Sequence, residues 1–109
     1  MKYQVFVTSR AKLQLVDAAR WWATHRSAEQ AARWLDGFEQ SLAQLSNDPE
    51  RHPLARENDL YDLPYTVRQL LYGIGARATH RAVFEIREDT VYVIAIRHLA
   101  QTDLPSELL

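Results

Sequence analysis

A chain of 109 residues is long enough for one domain, and we expect a single domain over residues 1–109. It contains no cysteine, which excludes disulfides, thiolate metal sites and a cysteine nucleophile. Thirteen basic and fourteen acidic side chains give a net charge of −1, so bulk electrostatics gives no support to nucleic-acid binding.

The chain carries no recognisable targeting segment. No stretch has the continuous apolar core of a signal peptide, and none is long and apolar enough for a membrane span. The missing cysteines fit a reducing compartment. We therefore expect a cytoplasmic location and no membrane partner.

The N-terminal half predicts one strand and two helices. Tyr3–Thr8 alternates with a period of two, which is typical of a short strand. Ser9 is the predicted N-cap of a helix over Ala11–Thr24, and Ser27 with Gln30 forms a capping box that opens a second helix. The apolar residues of that second helix recur at three- and four-residue steps: Ala31, Trp34, Leu35, Phe38, Leu42 and Leu45.

The C-terminal half predicts three strands after a loop. Residues 50–64 are polar and carry or adjoin Pro49, Pro53 and Pro64, so we expect a loop there, with at most a short turn of helix. Strands are predicted at Tyr65–Tyr72, His80–Arg87 and Val91–Ile96, with a two-residue turn at Glu88-Asp89. This order predicts an α+β fold: an N-terminal strand, an antiparallel helical hairpin and a three-stranded antiparallel meander. All strands are expected in one antiparallel sheet, with the helices on one face.

Four basic residues on the predicted meander form the candidate site. Arg68 lies in its first strand, Arg81 in its second, and Arg97 and His98 at the end of its third. If the helices cover one face, arginines on the other face can converge in a shallow groove. Guanidinium groups bind phosphate bidentately, and a histidine moves a proton near neutral pH. No phosphate-binding glycine loop, metal-ligand motif or nucleophile elbow is present, so we expect no cofactor and no metal.

The same residues also have an ordinary structural interpretation. Arginines on an open sheet face are usually solvated, or paired with a residue such as Glu85, and His98 fits a strand end. The tryptophans fit the core between helices and sheet. However, Trp21 and Trp22 are neighbours on one helix and point about 100° apart, so at least one of them faces away from the core. An exposed tryptophan is a plausible contact for a partner.

The pattern as a whole resembles the RelE/ParE superfamily, the toxins of type II toxin–antitoxin systems, over nearly the whole chain. The pieces that carry this resemblance are the strand Tyr3–Thr8 followed by the helical pair, the helix ending Leu42-x-x-Leu45-x-x-x-Pro49, and three strand motifs. These motifs are Val67-Arg68-Gln69-Leu70, His80-Arg81-Ala82-Val83-Phe84-Glu85-Ile86 and Val93-Ile94-Ala95-Ile96-Arg97-His98. Their order and spacing are more specific than any one of them.

The resemblance implies two helices packed against a curved antiparallel sheet, and a toxin that arrests growth. It further implies a cognate antitoxin, encoded beside the toxin, that wraps it with an extended or helical segment in a hetero-oligomeric complex. The segment Leu104–Leu109 either packs on the sheet or frames the target site.

The superfamily divides by mechanism. RelE-like members cut mRNA in the ribosome, and by position Arg68 matches their strand arginine, while Arg97 and His98 fall near their C-terminal catalytic pair. Arg81 joins this set as a catalytic candidate on the RelE-like reading. The chain departs from that branch because it has no lysine beyond Lys12 and no tyrosine after His98.

ParE-like members, including plasmid stabilisation proteins, instead poison DNA gyrase without a catalytic constellation. The long helical hairpin, the near-neutral charge and the Ile-Arg-His ending favour this branch. On this reading the four basic residues are a target-contact surface and the protein is not an enzyme. A RelE-like endoribonuclease acting on the ribosome and mRNA is the alternative. A non-toxic protein-interaction module and a nucleic-acid-binding protein also stay open.

Overall fold

The computed structural model describes residues 2–101, 103–105 and 109. Its main elements, in chain order, are β1 (Gln4–Val7), α1 (Ser9–His25), α2 (Ala28–Ala43), the short helix α3 (Glu57–Leu60), β2 (Arg68–Tyr72), β3 (His80–Arg87) and β4 (Thr90–His98). Two 3-10 turns, Gln44–Ser46 and Pro49–Arg51, lie between α2 and α3. The α+β class and the helical hairpin are as predicted.

The helix starts follow from capping side chains. Thr8, not the predicted Ser9, caps α1, because its hydroxyl oxygen accepts a hydrogen bond from the Ala11 amide at 3.2 Å. Ser27 caps α2 as predicted and accepts from the Gln30 amide at 3.0 Å. Among the described residues, no helix is long and apolar enough to cross a membrane.

The sheet has the strand order β1-β4-β3-β2, and it is mixed rather than purely antiparallel. The meander β2-β3-β4 is antiparallel as predicted, but β1 pairs with β4 in parallel. The reason lies in the hairpin: α2 returns the chain to the start of β1, where the Tyr3 amide donates to the Ser46 carbonyl at 2.8 Å. β2 therefore runs in the same direction as β1. The chain reverses once between β2 and β3 and once between β3 and β4, so that β4 again runs parallel to β1.

The main core lies between the helical hairpin and one face of the sheet, which we call the helix face. The α2 stripe supplies Trp34 and Phe38, both fully buried, and the strands supply Phe84, Val91 and Val93. Burying an aromatic or branched aliphatic side chain stabilises the fold by about 1.5–3 kcal/mol each. This core therefore fixes the hairpin on the sheet.

The opposite face of the sheet, which we call the rear face, is partly covered and not open. Ala55 and Val67 from the connection before β2 and Leu104 from the C-terminal segment pack on Val83 and Ala95 in a second core. Of the predicted segment Leu104–Leu109, residues 106–108 lie outside the described residues. Leu104 is fully buried, and Leu109 packs against the same core.

Candidate functional site

The four predicted site residues are divided between the two faces of the sheet. Arg68 is paired with Phe84 and His98 with His80, which places both on the helix face. Arg81 is paired with Arg97, on the rear face. A β-bulge decides which of Arg97 and His98 lies on which face, because Val83 pairs with Ala95 and Phe84 with Val93, so that Ile94 is extra and breaks the alternation of β4. The expectation that the residues converge in one groove is wrong.

Arg81 is held in a buried ion pair. Its guanidinium donates from Nη1 to Oε1 of Glu57 at 3.0 Å and from Nη2 to Oε2 at 2.5 Å, and Nη1 also reaches Oε1 of Gln69 at 3.2 Å. Glu57 has no exposed surface, and Arg81 is 8% exposed. Burial alone would raise the pKa of Glu57, but the hydrogen bonds from Arg81 and from the Leu104 amide lower it to about 2.

This pair also anchors the covering of the rear face. The second oxygen of Glu57 accepts from the Leu104 amide at 2.9 Å, and the hydroxyl of Tyr61 donates to the Leu104 carbonyl at 2.6 Å. Arg56 and Asp103 form a further, more exposed ion pair at 3.5 Å. Arg81 is therefore a structural anchor whose charge is already compensated.

Arg68 is also committed to the protein. Its Nη1 donates to the backbone carbonyls of His52 at 2.7 Å and Glu50 at 3.0 Å. These bonds fix one carbonyl within the second 3-10 turn and one directly after it, and they tie the connection to the first residue of β2. A guanidinium has five N–H donors, so the remaining ones stay available for other acceptors.

His98 is an exposed strand-end residue with a defined hydrogen-bonding state. Its Nδ1 accepts a hydrogen bond from the Ala100 amide at 2.9 Å, and its own amide donates to Oε1 of Gln101 at 2.9 Å. A neutral imidazole whose Nδ1 accepts carries its proton on Nε2. Among the described residues, no three His, Asp or Glu side chains are grouped to hold a metal ion.

A cleft of about 580 Å³ lies between α1 and the ends of β3 and β4. Its walls include Trp21, Trp22, His80 and His98. Burial, and to a smaller extent the neighbouring His98, whose ring centroid is 4.8 Å away, together lower the pKa of His80 to about 4. Trp21 is 48% exposed and stacks on His25, whereas Trp22 turns inward to stack on Trp34. The prediction of one outward-facing tryptophan is confirmed.

Sequence reasoning missed Glu57 as the residue that determines the state of Arg81. Glu57 lies in the polar connection 24 residues before Arg81, and no periodicity or spacing marks it. The partner proposed from sequence, Glu85, instead pairs with Arg87 on the same strand. The sequence indicated a buried ion pair only through Arg81 itself, an arginine among the apolar residues of a strand.

Comparison with known proteins places the chain in a family. The protein-family model described as "ParE toxin of type II toxin-antitoxin system, parDE" matches residues 5–102. The chain belongs to this ParE toxin family. A solved structure described as the chromosomal ParDE toxin–antitoxin system from P. aeruginosa is similar, with a TM-score of 0.69 and 14% identity. That match covers 89% of this chain and 96% of the other, and it shows a shared fold. No curated protein matches the chain.

Proposed function

We propose that this ParE-family toxin arrests growth in the cytoplasm by inhibiting DNA gyrase, and that a cognate antitoxin neutralises it by binding. Family membership supports the toxin role. The observation that carries the choice of target is the division of Arg68, Arg81, Arg97 and His98 between two faces of the sheet. This arrangement suits a protein that acts by binding.

Cleavage of RNA by its own 2′-hydroxyl needs a base, an acid and a cation around a single phosphate. Arg81 is compensated by Glu57 behind the sheet, and Arg68 donates to two backbone carbonyls at the other end of β2. The Nδ1 of His98 already accepts a hydrogen bond from the Ala100 amide within the protein. The geometry thus favours ParE-like inhibition over the RelE-like alternative.

The target-contact surface that we propose is the end of β4, with Arg97 and His98, together with the exposed Trp21 on the adjacent helix. His98 and Trp21 line the same cleft, and Arg97 lies next to His98 on the rear side. Tryptophan and arginine are enriched among the residues that dominate binding energy at protein interfaces. Arg68 and Arg81 are engaged inside the protein instead and are not part of this surface.

The test is controlled expression in bacteria with DNA, RNA and protein synthesis followed separately. We expect an early fall in DNA synthesis, and inhibition of purified gyrase in a supercoiling assay with the purified toxin. His98→Gln serves as a matched variant, because it keeps a polar side chain and removes the imidazole. Early loss of protein synthesis with cleaved mRNA, abolished by His98→Gln, would instead identify a RelE-like ribonuclease. Unimpaired growth would contradict the toxin role itself.

A further inference from the structure

We propose that the cleft between α1 and the end of β4 is a carboxylate-binding site, and that it takes an acidic side chain of the target together with an apolar neighbour. The inference rests on the proposed function, because it takes the target protein as the source of the carboxylate. It goes further in naming the chemistry that the target presents to Trp21 and His98, which both line this cleft.

Side chains cap the edge of β4 where it extends past β1. The parallel pairing with β1 ends at Val93, whereas β4 continues to His98. On the uncovered stretch, the Ile96 amide donates to Oε1 of Gln14 at 2.7 Å, and the His98 amide donates to Oε1 of Gln101 at 2.9 Å. Both glutamines line the cleft. The two backbone amides are therefore satisfied by side-chain oxygens.

These caps leave the cleft with side-chain donors. A carboxamide accepts hydrogen bonds through its oxygen, and this oxygen is engaged in Gln14 and Gln101, so each offers its NH₂ group to a ligand. The Nδ1 of His98 accepts from the Ala100 amide, so the neutral ring offers its Nε2–H. Ile96 and His98 are two residues apart, about 7 Å along the strand. The donors fastened to them are close enough to act on one ligand, and an oxygen-rich group complements them.

The charges around the cleft also favour an anion. Arg26 brings a positive charge to the wall at the C-terminal end of α1. The carboxylate of Asp17 lines the same cleft, but it is paired with Arg20 at 3.2 Å. His80 adds no charge near neutral pH, because its pKa is lowered to about 4, chiefly by burial. Arg26 therefore complements a single negative charge, which a carboxylate supplies.

The rest of the cleft is apolar and aromatic. Its volume of about 580 Å³ lies within the range of roughly 300–1,000 Å³ that is usual for small-ligand sites. The half-exposed Trp21 and the side chain of Ile96 contribute apolar surface. The indole N–H of Trp22, also in the wall, is buried and has no hydrogen-bond partner in the part of the chain that the structure describes. The occupant should thus carry an apolar or aromatic group next to its carboxylate.

A phosphate of a nucleic acid is also rich in acceptors, but it suits this cleft less well. Binding to nucleic-acid backbones depends on clustered lysines and arginines, whereas this chain has a net charge of −1. Most of the donors here are neutral amides and an imidazole. A recessed site walled by two indoles suits a side chain that inserts into it, as the dominant residues of protein interfaces do.

Small probes test the chemistry of the site. The purified toxin is titrated with phenylacetate, phenethylamine and phenyl phosphate, which share a ring and differ in the charged group, and the side-chain N–H signals are followed by heteronuclear NMR. We expect phenylacetate to shift the signals of Gln14, Gln101 and Trp22, and phenethylamine at the same concentration to leave them unchanged. Tighter binding of phenyl phosphate than of phenylacetate would overturn the proposal in favour of a phosphate site.

Two isosteric variants test the donors without removing the caps. Gln14→Glu and Gln101→Glu keep an oxygen that accepts the backbone amide and replace the NH₂ donor by a second carboxylate oxygen. Each should weaken phenylacetate binding and gyrase inhibition about tenfold or more, because a hydrogen bond to a charged group is lost and a like charge is added. Gln4→Glu is the matched control, because it adds the same charge beside Thr90, at the other end of β4. Circular dichroism checks that all three variants are folded.

The outcomes separate this inference from the function on which it rests. Loss of phenylacetate binding and of gyrase inhibition in the two cleft variants, but not in Gln4→Glu, supports the proposal. Gyrase inhibition that is unchanged in both cleft variants overturns it and leaves the proposed function intact. Binding of phenethylamine as tight as that of phenylacetate overturns the carboxylate preference. If the toxin does not inhibit gyrase, the proposed function and the target as the source of the carboxylate both fail, and the titrations alone decide whether the cleft binds carboxylates.

Discussion

The carboxylate of Glu57 accepts hydrogen bonds from both terminal nitrogens of Arg81, which lies 24 residues later in the sequence, and the pair has almost no exposed surface. The pair joins α3 to the centre of the sheet, and the same carboxylate accepts the Leu104 amide. Its pKa of about 2, against an ordinary 4.5, means that the folded state favours the charged form. The stabilisation is therefore present above about pH 4.5 and is lost as the pH falls towards 2.

Glu57→Gln should destabilise the protein strongly. The substitution keeps the shape of the side chain but leaves the buried guanidinium without a countercharge, which typically costs about 3–5 kcal/mol. Urea unfolding at neutral pH measures this loss. Asp17→Asn is the control, because it breaks an exposed pair with Arg20, and there the expected loss is below about 1 kcal/mol. Equal losses in the two variants would show that the buried pair has no special role.

His80 should make stability depend on pH in the mildly acidic range. Its pKa is lowered from 6.5 to about 4, chiefly by burial, so the unfolded chain binds the proton more readily than the folded one. The stabilisation of the folded state by neutral, buried His80 is complete above pH 6.5 and is lost as the pH falls through 4. Between pH 7 and 5 the protein should lose about 2 kcal/mol more than a His80→Phe variant does. If the free energies of unfolding of the unmodified protein and of His80→Phe, measured in urea, change with pH in the same way, His80 is not the cause of the pH dependence.

Most of the fold was visible in the sequence because its signals are local. The Ser27 cap, the apolar stripe from Ala31 to Leu45 and the alternation of His80–Arg87 each specify an element through contacts a few residues apart. The parallel pairing of β1 with β4 was missed, because pairing direction depends on where the hairpin delivers the chain. The bulge at Ile94 was missed as well, since all residues around it are β-formers.

The site was less predictable than the fold because its state depends on distant partners. Arg68 and Arg81 were correctly placed in their strands, yet their acceptors come from a connection without periodicity. Neither Glu57 nor the carbonyl of His52 has a sequence signature that links it to an arginine. The side of the sheet on which His98 lies also could not be read from alternation, because the bulge precedes it.

Arg97 and Arg81 should differ in how their loss reduces toxicity. Arg97→Gln changes a half-buried side chain at the end of β4, which we propose contacts the target, so growth arrest should weaken while the protein stays folded. Arg81→Gln leaves the buried carboxylate of Glu57 without a countercharge. It should reduce toxicity by unfolding the chain, at a cost of about 3–5 kcal/mol. Growth curves after induction, paired with circular dichroism of the purified variants, distinguish the two. A folded, fully toxic Arg97→Gln protein would remove Arg97 from the proposed surface.

Trp34 and Trp21 should separate core packing from partner contact. Trp34 is fully buried against Phe38 and Tyr72, and Trp34→Ala should cost about 3–5 kcal/mol. Trp21 is half exposed, and Trp21→Ala should cost well under that amount while weakening the complex with the target. Unfolding curves and gyrase inhibition measured on the same preparations provide both readouts. If Trp21→Ala inhibits gyrase like the unmodified protein, this tryptophan has no part in the target contact.

Gly37→Ala should destabilise α2, although the same change in an exposed helix stabilises by about 1 kcal/mol. A Cβ at Gly37 would lie 2.3 Å from the hydroxyl oxygen of Tyr72, and that hydroxyl is held in place by its hydrogen bond to the Trp34 carbonyl at 2.9 Å. Relieving the overlap means shifting a ring that is stacked on Phe38, which should cost about 1–3 kcal/mol.

The Tyr72→Phe background tests that explanation, because it removes the clashing oxygen and leaves the ring, whose nearest carbon lies 3.3 Å from the added Cβ. The Gly37→Ala penalty, measured by urea unfolding, should be much smaller in that background than in the unmodified chain. A penalty of the same size in both backgrounds would show that the helix backbone, and not the tyrosine hydroxyl, requires glycine at this position.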